Sequence, residues 1–177
     1  PASHVDDALT LVEPLSRAHG IPVQVVPGGA ERGDSVLAGV RWLPEACDVV
    51  LVHDAARAFT PSEVFQRVAQ AVSEAVPAVV PVLPVVDTVK VVDADGLVVS
   101  TPDRATLRIV QTPQGFRRDV LLAAHAAHGS LATDDAGLVE LLGLRVGTVP
   151  GDPVALKVTT PEDLAYAERL LASAARG

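Results

Sequence analysis

With a single cysteine, Cys47, among its 177 residues, the chain cannot form an intrachain disulfide. The position of Cys47 beside an apolar run favours a core thiol over a nucleophile. No stretch approaches the roughly 18 consecutive apolar residues that a membrane span requires. The opening residues, Pro1-Ala2-Ser3-His4-Val5-Asp6-Asp7, lack the basic start and apolar stretch of a secretory signal, so the cytoplasm is the expected compartment. Cations are scarce, 14 Lys and Arg against 22 Asp and Glu, for a formal charge of −8. Such a balance repels nucleic acid and anionic membrane surfaces, and an anionic substrate has to be met by cations gathered locally. Histidine and cysteine form no cluster with ligand spacing, so zinc is not suggested. Repeats and low-complexity segments are also absent.

What remains is a composition of 49% hydrophobic and 20% charged residues, that of a soluble globular chain long enough for one domain with a proper core. The stretch Val49-Val50-Leu51-Val52-His53-Asp54-Ala55-Ala56-Arg57 organises the reading. Four apolar residues, three of them β-branched, end abruptly in His-Asp, the pattern of a buried parallel strand that delivers a carboxylate to its carboxyl end. Ligands of open α/β sheets bind at that end. Asp54 followed by Arg57 can hold hydroxyls or a metal on one side and a phosphate on the other; the same residues also suit a plain corner in which Asp54 caps a turn and pairs with Arg57.

Around this strand, elements alternate. Residues 4–19 carry apolar residues at helical spacing, and Gly20 closes them. Ile21 to Val26 reads as a short strand, Pro27-Gly28-Gly29 as a turn, and Arg32-Gly33-Asp34-Ser35 as the opening of a helix that continues to Leu43. Thr60-Pro61-Ser62-Glu63 has the form of a capping box, with Thr60 as N-cap, for a helix reaching about Glu74. Ala78 to Val82 is a further strand. This alternation predicts an α/β fold with a mainly parallel sheet covered by helices on both faces. Residues 85–92 and 97–101 then flank Asp93-Ala94-Asp95-Gly96 as a β-hairpin. Its valines occupy both faces, so it is expected to be an arm that packs on another subunit. A strand over 107–110 leads into Gln111-Thr112-Pro113-Gln114, followed by a helix over 117–128 and a break at Gly129 and Ser130. Thr133-Asp134-Asp135 caps a helix over 136–142. Two late strands, 145–149 and 156–158, and a final capped helix from Thr160-Pro161-Glu162-Asp163 to Ala175 complete the chain.

Taken in order, Gly28-Gly29 with Arg32 and Asp34-Ser35, Val52-His53-Asp54-Ala55-Ala56-Arg57, Asp87-Thr88 with Lys90, Arg104, Gln111-Thr112-Pro113-Gln114, Thr133-Asp134 and Lys157-Val158-Thr159 resemble the 2-C-methyl-D-erythritol 4-phosphate cytidylyltransferases. The resemblance covers almost the whole chain. It implies a Rossmann-like nucleotidyltransferase fold acting as a homodimer through a β-arm at residues 85–104, and a Mg²⁺-dependent reaction. In that reaction CTP and methylerythritol phosphate give the CDP-alcohol and pyrophosphate, a step of non-mevalonate isoprenoid synthesis. Carried onto this sequence, Arg104 and Lys157 position the methylerythritol phosphate, and Thr88 touches it from the partner's arm. Asp54 contacts the methylerythritol moiety or the metal, with Arg57 and Thr112 in the same pocket. Gly28, Gly29, Ala30 and Ser35, joined by Ala55, hold cytosine and ribose. Relatives carry Asp where this chain has Ala30, so that base contact falls to backbone or is lost.

Members of that family also begin with a strand and a Gly-rich loop of the type Pro-Ala-Ala-Gly-x-Gly-x-Arg, followed by a Pro-Lys pair, which cradles the CTP phosphates. These 177 residues contain no such loop, so the chain is expected to be an N-terminally incomplete nucleotidyltransferase domain that starts after the second strand. The stretch between His128 and Thr133 is short for the family. Without the resemblance, Lys157 also reads as a snorkelling edge lysine, Arg104 as a partner for Asp103 or Asp87, and His53 as a packed neighbour of the site. Two further functions fit the same residues: cytidylyl transfer to another polyol phosphate such as ribitol phosphate, and a non-catalytic dimeric binding fragment.

Overall fold

A computed structural model describes residues 2–129 and 132–174. After a 3-10 turn at Ala2–His4 come helices α1 (Val5–His19) and α2 (Arg32–Trp42), strand β1 (Val49–Val52), helix α3 (Ser62–Ala71) and strand β2 (Ala78–Pro84). The hairpin strands β3 (Val91–Val92) and β4 (Val98–Ser100) follow, then β5 (Arg108–Val110), β6 (Gln114–Arg117), α4 (Arg118–His128), α5 (Asp135–Leu141), β7 (Val146–Pro150) and α6 (Pro161–Ala174). The expected end of the last helix at Ala175, and Ser130 within the break after α4, lie outside the described residues.

The sheet is mixed, which corrects the expectation of a mainly parallel one. β1 and β2 are each antiparallel to β6, β5 is antiparallel to β2, and only β7 pairs with β2 in parallel. β1, β2 and β7 therefore share one direction, as strand-helix alternation implies. The exception comes from the chain that returns from the hairpin. It runs back along β2, with β5 opposite Val82–Pro84 and β6 opposite Ala78–Val79, while β7 occupies the other edge. β6 then lies between β1 and β2, so those two parallel strands never touch.

Both faces of the sheet are covered, as expected. Val50, Ala78, Val80, Val82 and Phe116 point to one side and pack with Leu121 and Ala124 of α4 and Leu138 and Val139 of α5. Val79 and Leu51, one residue out of phase, point to the other side and meet Val64 and Val68 of α3. This is the period-2 alternation of a strand turned into two half-cores. A fully buried valine, leucine or phenylalanine among these contributes about 1.5–3 kcal/mol relative to exposure. Gly115 in β6 is required at the crossing with α3: a Cβ there would stand 2.6 Å from Val68 and 3.1 Å from both Leu51 and Val72. Overpacking of that kind costs about 1–3 kcal/mol.

Four local expectations are revised. Residues 21–26 form no strand: among the described residues they make no ladder hydrogen bonds, and residues 22–24 face β1 across a groove instead of pairing with it. Residues 156–158 form a loop rather than a strand; Val158 N–H donates to the Ala56 carbonyl, which ties the loop to the end of β1 without a second bond to extend a ladder. Thr60 does not cap α3, since its hydroxyl donates to the Arg57 carbonyl and Pro61 takes the N-cap position. That helix also ends at Ala71, short of Glu74. Other capping predictions hold: Asp134 accepts from Gly137 N–H, and Thr160 and Asp163 exchange bonds as a reciprocal box. Cys47 is half-buried just before β1. Among the described residues no helix is long and apolar enough to cross a membrane.

The hairpin forms where expected, with Gly96 at φ +80° in its turn. Among the described residues it pairs with no other strand, and Val91, Val92, Leu97, Val98 and Val99 are all exposed. Contiguous apolar surface of this kind marks an interaction site.

Candidate active site at the carboxyl end of the first strand

β1 delivers His53 and Asp54 beyond its last sheet-paired residue, Val52. Two devices hold the turn that follows. Arg57 N–H donates to the Asp54 carbonyl at 2.9 Å, and Asp54 N–H donates to the Thr112 hydroxyl at 3.0 Å. Thr112 Oγ1 also lies 2.9 Å from His53 Nδ1. The Thr112 hydroxyl thus joins the Asp54 backbone and the His53 ring in one hydrogen-bonded corner. Burial pushes the His53 pKa below its ordinary 6.5, outweighing the opposing pull of nearby carbonyl groups and Asp54. The ring is tilted against Phe65, centroids 4.8 Å apart.

A measurable consequence follows for stability. The unfolded chain protonates His53 more readily than the folded one, so the stabilisation is complete above pH 6.5 and is lost as the pH falls through the lower folded value. Unfolding free energy is expected to drop as the pH falls below 6.5, and His53→Asn to flatten that slope. An unchanged slope in chemical denaturation of the variant would contradict it.

The side chain of Asp54 does not pair with Arg57. Its Oδ2 receives Lys157 Nζ at 2.9 Å, the pair being partly exposed. Burial raises the Asp54 pKa, but the Lys157 hydrogen bond and charge, helped by Arg32 and Arg57, outweigh it and hold the carboxyl below its usual range. Arg57 instead sends Nη1 to the Ala155 carbonyl at 2.7 Å, anchoring the loop that carries Lys157. Burial lowers the Arg57 pKa, partly offset by Asp54. Asp54, Arg57, Thr112 and Lys157, together with Arg32, line a pocket of about 210 Å³. Three cations, Arg32, Arg57 and Lys157, against two carboxylates, Asp54 and Asp134, leave the pocket with a positive excess on a protein that is otherwise acidic.

Beside it, a groove of about 630 Å³ runs under residues 22–24 and is lined by Arg32, Ser35, Trp42, Val52, Asp54 and Ala55. The loop before α2 is self-bonded. Gly29 N–H donates to Ser35 Oγ at 3.1 Å, and a Cβ on Gly29 would fall 2.1 Å from Asp34, so only glycine fits. Gly28, Gly29 and Ala30 sit on this loop but do not line the groove, whereas Ser35 and Ala55 do. Two of the sequence-predicted residues are not brought to the pocket within one chain. Thr88 is exposed before the hairpin, and Arg104 is exposed with its guanidinium on the Val86 carbonyl, not on Asp103 or Asp87.

Two residues near the site, both within the Gln111-Thr112-Pro113-Gln114 motif, were assigned no individual role from the sequence. Gln111 is buried and bonds the 151–155 loop at three points, through Asp152 O, Ala155 O and Asp152 N–H. Gln114 is also buried and joins Asp134 and the Ala136 N–H. Polar amides flanking Thr112 at a strand end were the available signal, because buried amides persist only when satisfied.

Comparison with known proteins now bears on this arrangement. A family model described as 2-C-methyl-D-erythritol 4-phosphate cytidylyltransferase matches residues 4–173. The chain belongs to this family. A relative of that name from Frankia casuarinae is 58% identical over 163 residues, 92% of this chain and 61% of the relative. One from Saccharopolyspora erythraea is 62% identical over 154 residues, 85% of this chain and 68% of the relative. The chain thus spans roughly two thirds of the length of these family members. Among solved structures, the family enzyme from Thermus thermophilus matches with a TM-score of 0.73 at 39% identity, covering 84% of this chain and 75% of that one. The 4-diphosphocytidyl-2C-methyl-D-erythritol synthase of Anaerococcus prevotii matches with a TM-score of 0.83 at 29% identity, covering 93% and 77%. The family's nucleotidyltransferase fold is therefore that of the mixed sheet described above.

Proposed function

We propose that the protein transfers a cytidylyl group from CTP to 2-C-methyl-D-erythritol 4-phosphate, giving 4-diphosphocytidyl-2-C-methyl-D-erythritol and pyrophosphate for isoprenoid synthesis. The observation that carries this reading is the Lys157 and Asp54 pair in a pocket also lined by Arg57 and Thr112, at the strand end of a chain belonging to this family. The acceptor is a phosphate monoester, whose second pKa near 6 leaves its oxygen largely deprotonated at neutral pH. No side chain has to remove a proton. The obstacle is repulsion between a dianion and a triphosphate, so the burden falls on positioning and on cations. In this scheme an acceptor phosphate oxygen attacks the α-phosphorus of CTP, the bond to the bridging oxygen breaks, and pyrophosphate leaves with that electron pair.

Lys157 and Arg57 neutralise the acceptor phosphate, and Asp54, kept ionised, accepts from acceptor hydroxyls. The groove beside the Gly28–Ser35 loop takes cytosine and ribose, with Ala55 beneath them. Arg104 and Thr88 complete the site from the arm of a second subunit, the exposed valine surface of the hairpin being buried in a homodimer. Residues 1–177 form part of one nucleotidyltransferase domain, with 85–104 as its arm. Both substrates are charged and membrane-impermeant, which favours a cytoplasmic enzyme.

A divalent cation, Mg²⁺, fits the residues present in a limited way. Among the described residues no group of three or more His, Cys, Asp or Glu converges. Mg²⁺ keeps several waters and binds through one or two carboxylates plus substrate phosphates. Asp54, with one oxygen on Lys157, has its other oxygen available for such a role. Bound with the nucleotide, the ion would supply charge neutralisation at the phosphates.

Pyrophosphate release by the full-length protein, measured with CTP and either methylerythritol phosphate or ribitol phosphate, tests the proposal. Turnover of methylerythritol phosphate is expected; turnover of ribitol phosphate alone would replace it, and release with neither would favour a binding protein.

A further inference from the structure

The mechanism leaves one buried ionic cluster unused. Asp135, the first residue of α5, is completely buried. Its Oδ1 lies 2.9 Å from Nε2 of the buried His125 in α4, and its Oδ2 receives Arg32 Nη1 at 2.6 Å. Arg32 opens α2, immediately after the glycine loop. The next residue, Gly33, rests on the imidazole: a Cβ there would meet His125 Cε1 and Nδ1 at 3.3 Å. Two helices of the sheet's cover and the start of a third thus converge on one carboxylate.

A carboxylate buried this completely is expensive unless its contacts fix something, because it gives up its hydration. What it fixes is visible in the bonding of residues 20–35. Ser16 to Ile21, Gly29 to Ser35, Ser35 to Glu31 and Glu31 to Asp34 are all local. Among the described residues, the Arg32 and Asp135 pair is the one polar side-chain tie from this segment to the rest of the molecule, spanning 103 positions. Arg32 is itself half-exposed, lines both the groove and the Asp54 pocket, and contributes to holding the Asp54 pKa down. It stands where the two cavities meet.

We propose that Arg32 is a positioning residue: anchored by Asp135, which His125 holds in turn, it sets the Gly28–Ser35 loop against the Asp54 pocket, so that a bound cytidine nucleotide faces the acceptor. The inference rests on the reading of that loop as the cytidine site. Arginine suits the task because its planar fork can keep one edge on a carboxylate while the chain it belongs to is held at a defined angle.

Calorimetric binding of CTP and of CMP to the full-length protein tests it, alongside the KM for each substrate and the thermal midpoint. Arg32→Met and Asp135→Asn are each expected to weaken CTP and CMP by a similar factor, about tenfold. For Asp135→Asn, which leaves the Arg32 charge in place, KM for the acceptor should stay within about twofold, and Arg32→Lys should recover part of the nucleotide affinity lost in Arg32→Met. A lower midpoint with unchanged nucleotide affinity at a temperature where the variant is folded would reduce the cluster to a structural clamp and overturn the proposal. Loss of CTP affinity with CMP spared would overturn it as well, by making Arg32 a contact to the outer phosphates. If the unmodified protein binds neither nucleotide, the cytidine site itself is refuted, a result separate from either variant outcome.

Discussion

Lys157→Ala is expected to lower turnover by at least two orders of magnitude while leaving oligomeric state unchanged. The size follows from what the side chain does twice over. Its ammonium is the pocket's most exposed cation and the proposed partner of the acceptor phosphate, and removing a preorganised charge from a phosphoryl-transfer site costs about 10²–10³ in rate. It also pairs with Asp54 at 2.9 Å and contributes both a hydrogen bond and charge that hold that carboxyl low. With Lys157 gone, the hydrogen bond and charge that hold the Asp54 carboxyl low are lost, and its pKa rises. Rates like those of the unmodified protein would remove Lys157 from the mechanism.

Arg104→Ala should be equally damaging, yet activity should return when it is mixed with Lys157→Ala. Arg104 is exposed on the 3-10 turn after the hairpin, bonded to the Val86 carbonyl, and it does not line the Asp54 pocket of its own chain. If it acts at the site of a second subunit, a mixed dimer contains one site with Lys157 and Arg104 both intact. Random reassociation of the two inactive proteins then restores about a quarter of full activity, half the dimers being mixed with one working site each. No recovery would place Arg104 in its own chain's pocket or outside the reaction. The same arrangement requires the arm. Deleting residues 88–100 removes Val91, Val92, Leu97, Val98 and Val99, all exposed here, and should give monomers by sedimentation. A stable dimer would refute the arm as the interface.

How these residues come together shows where sequence reasoning succeeds. The run from Val49 to Asp54 could be read directly as a strand with a polar end, but not as a buried parallel one: β1 is an edge strand, antiparallel to β6, with Val50 buried and Val49 exposed. The glycine loop, the hairpin turn and the caps at Asp134 and Thr160 were equally legible, each depending on local backbone chemistry. Asp54 was open between a surface corner with Arg57 and a site. The corner does form in the backbone, through Arg57 N–H, but the carboxylate turns to Lys157. That choice depends on a loop 100 residues away, held by Gln111 and Arg57, and no local pattern encodes it.

The sequence by itself determined the helices and most of the strands, the apolar faces, the scarcity of cations and the family, but not β6, which follows the 107–110 strand as a separate element. These follow from periodicity, turn chemistry and motif spacing, which act over a few residues. Tertiary structure alone decided that β6 inserts antiparallel between β1 and β2, that residues 21–26 and 156–158 remain outside the sheet, and that Arg32, His125 and Asp135 meet. Strand direction and ladder membership depend on which edge is free when distant segments pack. A buried carboxylate chooses its partners by proximity in the folded core, where an unpaired charge cannot persist.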